Sequence, residues 1–389
     1  MSGTVVIEDE ETPVSGARID LVEGPDLGRT VQAGKDGRYL LPSLQEGTHE
    51  IRASAEGLDE QRRSVSLTSD QTVDFSLRRP ATPPGPPPQP VQTFSGTLVE
   101  GISEGAVAGA TLEVDGLGVF TTEGNGTFRI EVADPESIRT VSISSSAIVP
   151  RTTHLRIPGP DAQLTVIPGG FDLAAFDQMF RGAGRLQRWV SAPRLSVQTT
   201  VLQFTDVTAQ DYVATDSVMT DDEVELLSED LGWGLPLLTD GRIAFASQER
   251  ETAESGASVR VARPGEIVVA RYSGLQAATG FWGYGRWASD GAGRIQGGIV
   301  MLDAGFDSSG SEFRRSLRVH ELGHALGYNH VTKRQSVMNA SARFEPNEFD
   351  LHGARIAFLR PPGNRSPDLD PDEFTSNLVT GVLIWSGDR

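Results

Sequence analysis

Residues 320–330 read HELGHALGYNH, and no other stretch limits the fold of this chain so tightly. Three of its six histidines fall inside it: His320, His324 and His330, with Glu321 beside the first and Gly327 between the second and third. On a helix, residues four apart share a face, so His320 and His324 present two imidazoles to one point. Neutral imidazole is a good zinc ligand, and a catalytic zinc takes three protein ligands while keeping a fourth position for water. His330 lies six residues beyond His324, where a continuing helix would carry it off the shared face. Gly327 resolves this, because glycine tolerates positive φ and lets the helix stop and the chain turn back. Glu321 flanks the same face, placed to take a proton from a water at the fourth position and deliver it to a leaving amine.

The start of that helix is also written in the chain. Ser309 with Glu312 three residues later predicts a capping box, and the helix is expected over about 311–326. Phe313 and Leu317 then lie on the face of His320 and His324, so that face points inward, toward a metal held between protein layers.

The string HELGHALGYNH resembles HExxHxxGxxH, the zinc motif of the metzincin metalloproteases. That group has a methionine-containing turn beneath the metal, and Met338 in Gln335-Ser336-Val337-Met338-Asn339 matches it. Within the group the matrixin branch and its bacterial relatives look closest. Val331 stands where astacin-like enzymes carry a Glu, and Ala340 stands where astacins and serralysins carry a Tyr. The resemblance implies one zinc ion (Zn2+) on His320, His324 and His330, Glu321 as general base, Gly327 at the turn and Met338 as the floor. It also implies a substrate strand added to a sheet edge. The candidate edge is 297–303, GGIVMLD, with Gly298, Ile299, Val300 and Met301 as substrate contacts. The resemblance spans roughly residues 170–389 and is specific only over 297–340.

The rest of the chain bounds the setting. Lys and Arg number 34 against 53 Asp and Glu, a net charge of −19, which repels phosphate and argues against nucleic-acid or anionic-membrane partners. There is no cysteine, hence no disulfide and no cysteine switch of the kind that keeps many matrixins latent. No run approaches eighteen apolar residues, so no transmembrane helix is expected. No signal peptide is recognisable, yet Val5, Val6 and Ile7 already read as a strand; a leader or anchor preceding this chain is expected.

A proline-rich segment, 80–92, predicts an extended spacer. The segments on either side look like repeats. Val14-Ser15-Gly16-Ala17-Arg18-Ile19-Asp20-Leu21 answers to Val107-Ala108-Gly109-Ala110-Thr111-Leu112-Glu113-Val114, and Asp36-Gly37-Arg38-Tyr39 to Asn125-Gly126-Thr127-Phe128. Asp-Gly and Asn-Gly predict tight hairpin turns with positive φ at both central residues. The alternation of Ile19 and Leu21, Leu112 and Val114, Tyr39 and Leu41, and Phe128 and Ile130 predicts half-buried strands. Each segment reads as a small β-sandwich, over 1–79 and 93–168. The first resembles the carboxypeptidase regulatory-like domain, a transthyretin-like sandwich, through Pro13–Ala17, Asp36–Tyr39 and Leu44–His49; the second is a diverged copy. The resemblance implies a spacer or folding support, with carbohydrate or protein binding as the alternative; no exposed aromatic cluster suggests sugar stacking.

The third domain is expected over 169–389. Segment 171–190 reads partly as helix, 194–204 as strand, 220–238 as a helix capped by Thr220 with acids in its first turn, 265–273 as strand and 348–359 as helix. Segment 279–287, TGFWGYGRW, reads as strand or as cleft lining. The acidic stretch Asp368–Glu373 reads as a solvated loop rather than a structural calcium (Ca2+) site.

The fold class expected is thus multidomain: two all-β sandwiches, then an α/β (α+β) metzincin-type domain with a mixed sheet and an active-site helix. The function expected is that of a zinc-dependent metalloendopeptidase of extracellular proteins, monomeric, with a protein or peptide substrate and no membrane insertion. It would be secreted, surface-bound or periplasmic in a bacterium. The competing reading is a surface adhesion or matrix-binding protein with a structural metal site; it leaves Glu321 without a task, and no Cys or fourth nearby His closes such a site.

Overall fold

The computed structural model describes residues 1–80, 91–372 and 384–387. The chain divides into two compact units, Met1–Pro88 and Gln89–Arg389. The proline-rich segment expected at 80–92 lies for the most part outside the described residues.

The first unit packs a three-stranded sheet (Arg38–Leu40, Ser2–Ile7, Phe75–Leu77) on a four-stranded one (Thr30–Gln32, Arg18–Glu23, Gly47–Ser54, Gln61–Leu67). The second unit opens with the same strand order. Thr127–Val132, Gln92–Glu100 and Ala162–Val166 face Gly118–Thr121, Thr111–Val114, Ser137–Ser144 and Arg151–Ile157. In both, the last strand pairs parallel to the first. Ile19, Leu21, Tyr39 and Leu41 are buried in one core, and Leu112, Val114, Phe128 and Ile130 in the other. Period-two alternation placed them there.

The Asp-Gly and Asn-Gly turns differ from the expected hairpin. Gly37 and Gly126 have φ of 73° and 79°, but Asp36 and Asn125 do not share the positive φ. The strands that each turn joins belong to different sheets, so the turn is a corner. The Asp36 and Asn125 side chains accept from the backbone N–H two residues on, which serves a corner as well as a hairpin.

The remainder of the second unit is built on α1 (Leu173–Phe180), β1 (Arg194–Gln203), β2 (Asp211–Val218), α2 (Asp221–Thr239), β3 (Ser258–Arg260), β4 (Glu266–Ser273), β5 (Gly283–Ser289), β6 (Arg294–Asp303), α3 (Arg314–Ala325), α4 (Glu348–Phe358) and β7 (Ile384–Gly387). The main sheet runs β3-β2-β1-β4-β6-β5-β7. β1, β4 and β6 are parallel, and β5 is antiparallel to β6. One face packs against the helices through Val197, Val269 and Val300 with Leu227, Val319 and Leu322. The other buries Leu202, Tyr212, Tyr272, Ile299 and Met301.

This order corrects the candidate substrate edge. Gly298, Ile299, Val300 and Met301 pair with Ile267–Ala270 of β4 on one side and with Tyr284–Trp287 of β5 on the other. All four are buried. The unbroken apolar run GGIVMLD is that of a strand covered on both faces and flanked on both sides, so no peptide can add to it. The strand nearer the sheet margin is β5, from segment 279–287.

The acidic stretch is corrected too. Asp368 is fully buried, and both its oxygens are held by Arg360 at 2.6 and 2.7 Å. Asp370 pairs with Arg151 at 2.6 Å. These carboxylates are neutralised by guanidinium, the stronger bidentate partner, in place of solvent or calcium. Arg151 and Thr152 belong to the second sandwich, and Thr152 exchanges backbone hydrogen bonds with Asp368 and Asp370. Val149 and Ile167 join the core of the helical part. The second sandwich and the mixed sheet therefore share both apolar and ionic contacts.

Candidate metal centre

The helix α3 begins at Arg314 behind Phe313, with no side-chain cap. The expected Ser309–Glu312 box is absent: the Ser309 hydroxyl donates to the Phe306 carbonyl and closes the short helix Ala304–Ser308. Nothing solvent-exposed is needed to hold α3, because its flanks are pinned by buried ions. Arg318, fully buried, binds Asp307 at 2.8 Å and Asp230 of α2 at 2.9 Å. Arg271 of β4 binds the same Asp307. A charge so enclosed persists only when paired and hydrogen-bonded.

His320 and His324 face one point from successive turns of α3, and Gly327, at φ 95°, ends the helix and reverses the chain. His330 then returns to the same point. The three Nε2 atoms form a triangle with sides of 3.1, 3.2 and 3.3 Å. Nitrogens about 2.05 Å from a tetrahedral ion would stand about 3.3–3.4 Å apart. The protonation pattern agrees. His320 Nδ1 lies 2.7 Å from the Val337 carbonyl and His324 Nδ1 2.7 Å from that of Tyr328. A carbonyl only accepts, so each Nδ1 donates and each Nε2 turns its lone pair to the centre. Burial, and then the neighbouring imidazoles of His320 and His330, hold His324 well below the usual imidazole range, in the neutral form that metals bind. Converging lone pairs repel one another unless a cation lies between them.

Glu321 is buried beside this triangle. Burial pushes its carboxyl well above the ordinary range, opposed by a hydrogen bond from the Gly285 backbone. Its Oε2 has no hydrogen-bond partner among the described residues. The two glycines of β5 make the approach possible: a Cβ on Gly283 would lie 2.4 Å from Glu321 Oε1, and one on Gly285 2.3 Å from the His324 Cβ. Met338, fully buried, sets its sulfur under α3 at Gly323, where a Cβ would come within 2.4 Å of it. The turn that carries Met338 is tied down by Asp350 of α4, which accepts from the Ser336 hydroxyl at 2.5 Å and from the Val337 and Asn347 backbones. The sequence reading missed Gly283, Gly285, Gly323 and Asp350. The glycines carry no signal beyond composition, and Asp350 was legible only as the N3 acid of a capping box on Asn347.

A cleft of about 300 Å³ opens over the site, lined by His320, Glu321, Gly283 and Tyr284 on one side and by Leu317 and Ala342 on another. Trp282, stacked on Phe306 at 4.6 Å, stands at its mouth. Segment 279–287 thus serves as strand and cleft lining at once. Among the described residues, no further His, Cys, Asp or Glu joins the three histidines as a ligand group.

Residues 186–357 match the matrixin family model. The chain carries a matrixin domain. Residues 1–78 match the model of the carboxypeptidase regulatory-like domain. Matrixins are metalloproteases, and the family implies zinc, for which the matrixin domain here offers His320, His324 and His330. No curated protein matches the chain. Solved structures similar to part of it include a streptococcal ancillary pilin (14% identity, covering 43% of this chain and 61% of that one, TM-score 0.18). A Bacillus anthracis TIE protein covers 43% and 33% at 12% identity, with a TM-score of 0.17. The shaft pilin SpaA of Lactobacillus rhamnosus GG covers 43% and 97% at 11%, with a TM-score of 0.19. No described helix is long and apolar enough to cross a membrane.

Proposed function

We propose that the protein is a zinc-dependent endopeptidase. The observation that carries this reading is the buried Oε2 of Glu321, without a hydrogen-bond partner among the described residues, beside three imidazoles whose Nε2 atoms converge. A purely structural metal has no use for such a carboxylate, and structural sites are closed by a fourth protein ligand. The chemistry zinc supplies when held by His320, His324 and His330 is Lewis acidity toward the scissile carbonyl and the attacking water. Glu321 receives the water proton at Oε2 and returns it to the leaving nitrogen. Gly283–Gly285, paired only to β6 among the described residues, offers backbone donors and acceptors to an extended peptide laid antiparallel. The side chain after the scissile bond enters the cleft toward Leu317 and Ala342.

The domain division that goes with this is 1–79, 80–92, 93–168 and 169–389, with the sandwiches as supports and extracellular proteins as substrates. The test is hydrolysis of a denatured protein by the wild type and by Glu321→Ala, with and without a zinc chelator. Glu321→Ala should keep one zinc per chain and lose at least about 10²–10⁴-fold in rate. His324→Ala should lose the metal. Unchanged hydrolysis by Glu321→Ala would sink the assignment, and full zinc occupancy in His324→Ala would sink the ligand set.

A further inference from the structure

The outer side of β5 is not open along its whole length. β7 pairs antiparallel with its second half: Gly387 lies opposite Arg286, Ser386 opposite Trp287, Trp385 opposite Ala288 and Ile384 opposite Ser289. The fit is specific in its side chains. Ala288 and its β6 neighbour Gly297 form a row of small residues, and the Trp385 ring lies on it, so that a Cβ at Gly297 would stand 3.1 Å from the indole. The Arg286 guanidinium packs on the same ring at 5.4 Å, a contact that favours this register. Gly387 in turn leaves room for Tyr284, whose hydroxyl would meet a Cβ there at 2.8 Å. Tyr284 also lines the cleft.

A peptide running antiparallel along β5 passes from Ser289 toward Gly283 in its own amino-to-carboxyl direction. Glu321 and His324 lie against Gly283 and Gly285. The residues before the scissile bond therefore lie over Gly285 and then over Arg286–Ser289, where β7 already sits. We propose that Ile384–Gly387 is a built-in occupant of the substrate edge. It confines recognition on the amino side to the few residues over Gly283–Gly285, and its release lengthens that row of subsites. The proposal rests on the peptidase reading and deepens it: the substrates taken with β7 in place are those with little extended chain, or none needed, upstream of the cut.

The test uses the zinc-loaded full chain, a variant ending at Asp372, and Trp385→Ala, which removes the ring but no backbone. Two fluorogenic peptides share the sequence around the bond; one has two residues upstream of it and the other six. The full chain should cleave both with similar kcat/KM. Both variants should cleave the short peptide as before and the long one roughly tenfold better through KM, the worth of one or two added backbone hydrogen bonds. Amide exchange at Arg286–Ser289 should quicken in both variants. If the ratio of long to short is the same in all three proteins, the proposal is overturned while the peptidase reading stands. If none cleaves the short peptide, the peptidase reading fails and takes this proposal with it.

Discussion

At the scale of single residues, the carbonyl behind an imidazole decides what the front of the ring can do. Val337 and Tyr328 each accept a proton from Nδ1 and so commit Nε2 to the centre; such outer partners orient ligands and raise their basicity. The convergence of the three histidines was legible, since i,i+4 spacing and a glycine stop are enough to bring three rings together. The carbonyls were not, because a backbone acceptor has no letter in the sequence. Gly283 shows the same limit. Its missing Cβ is the space in which the Glu321 carboxylate sits. Gly283→Ala should push that flexible carboxylate aside, lowering kcat by about tenfold or more while zinc content and melting temperature stay near wild type. Metal analysis beside steady-state kinetics checks this, and a variant that instead loses its zinc would show the glycine to serve the histidines.

At the scale of elements, the site depends on how α3 is held at both ends and from below. Thr220 was legible as the cap of α2, and the structure adds Glu223, whose side chain closes a capping box and also meets Arg271. The Thr220 backbone N–H and Arg271 hold the Glu223 carboxyl at about 2. The start of α3 was misread, because Ser309 satisfies a carbonyl of the preceding helix rather than an amide of the next. The edge strand was misread for a different reason: an apolar run tells that a strand is buried but not which neighbours flank it, and pairing partners are set by chain segments far away in sequence. Asp350 connects elements most directly, since it anchors the Met338 turn and, through Val337, the back of His320. Asp350→Ala should orphan the Ser336, Val337 and Asn347 donors, cost about 1–3 kcal/mol and weaken zinc affinity roughly 10–100-fold. Chemical denaturation and a zinc competition titration measure the two effects separately. A loss of stability with unaltered zinc affinity would show that the turn does not orient the ligand.

At the scale of the whole molecule, the repeat was legible because buried positions recur at an offset of 93 residues and then, past a shortened loop, of 89, and both sandwiches share one strand order. What the sequence concealed was the junction of the second sandwich with the mixed sheet. The run Asp368–Asp372 looks like a wet acidic loop until Arg151 and Arg360 are seen beside it. Burial raises the Asp370 carboxyl, but the charge and hydrogen bond of Arg151 outweigh it and hold the group below its ordinary value. A carboxyl depressed in the folded state stabilises above its unfolded pKa of about 4, and that contribution is lost as pH falls through the lower folded value. Glu223 adds in the same sense. Thermal melts should therefore fall below about pH 4, as these depressed carboxyls take up protons. Asp370→Asn should remove part of that slope; an unchanged slope would place the acid sensitivity elsewhere. The junction also decides where this chain can be cut. A fragment beginning at 169 would strip Arg151 and the Thr152 backbone from Asp368 and Asp370 and lay Val149's partners bare. A piece that keeps this junction whole starts near residue 91, with the second sandwich attached.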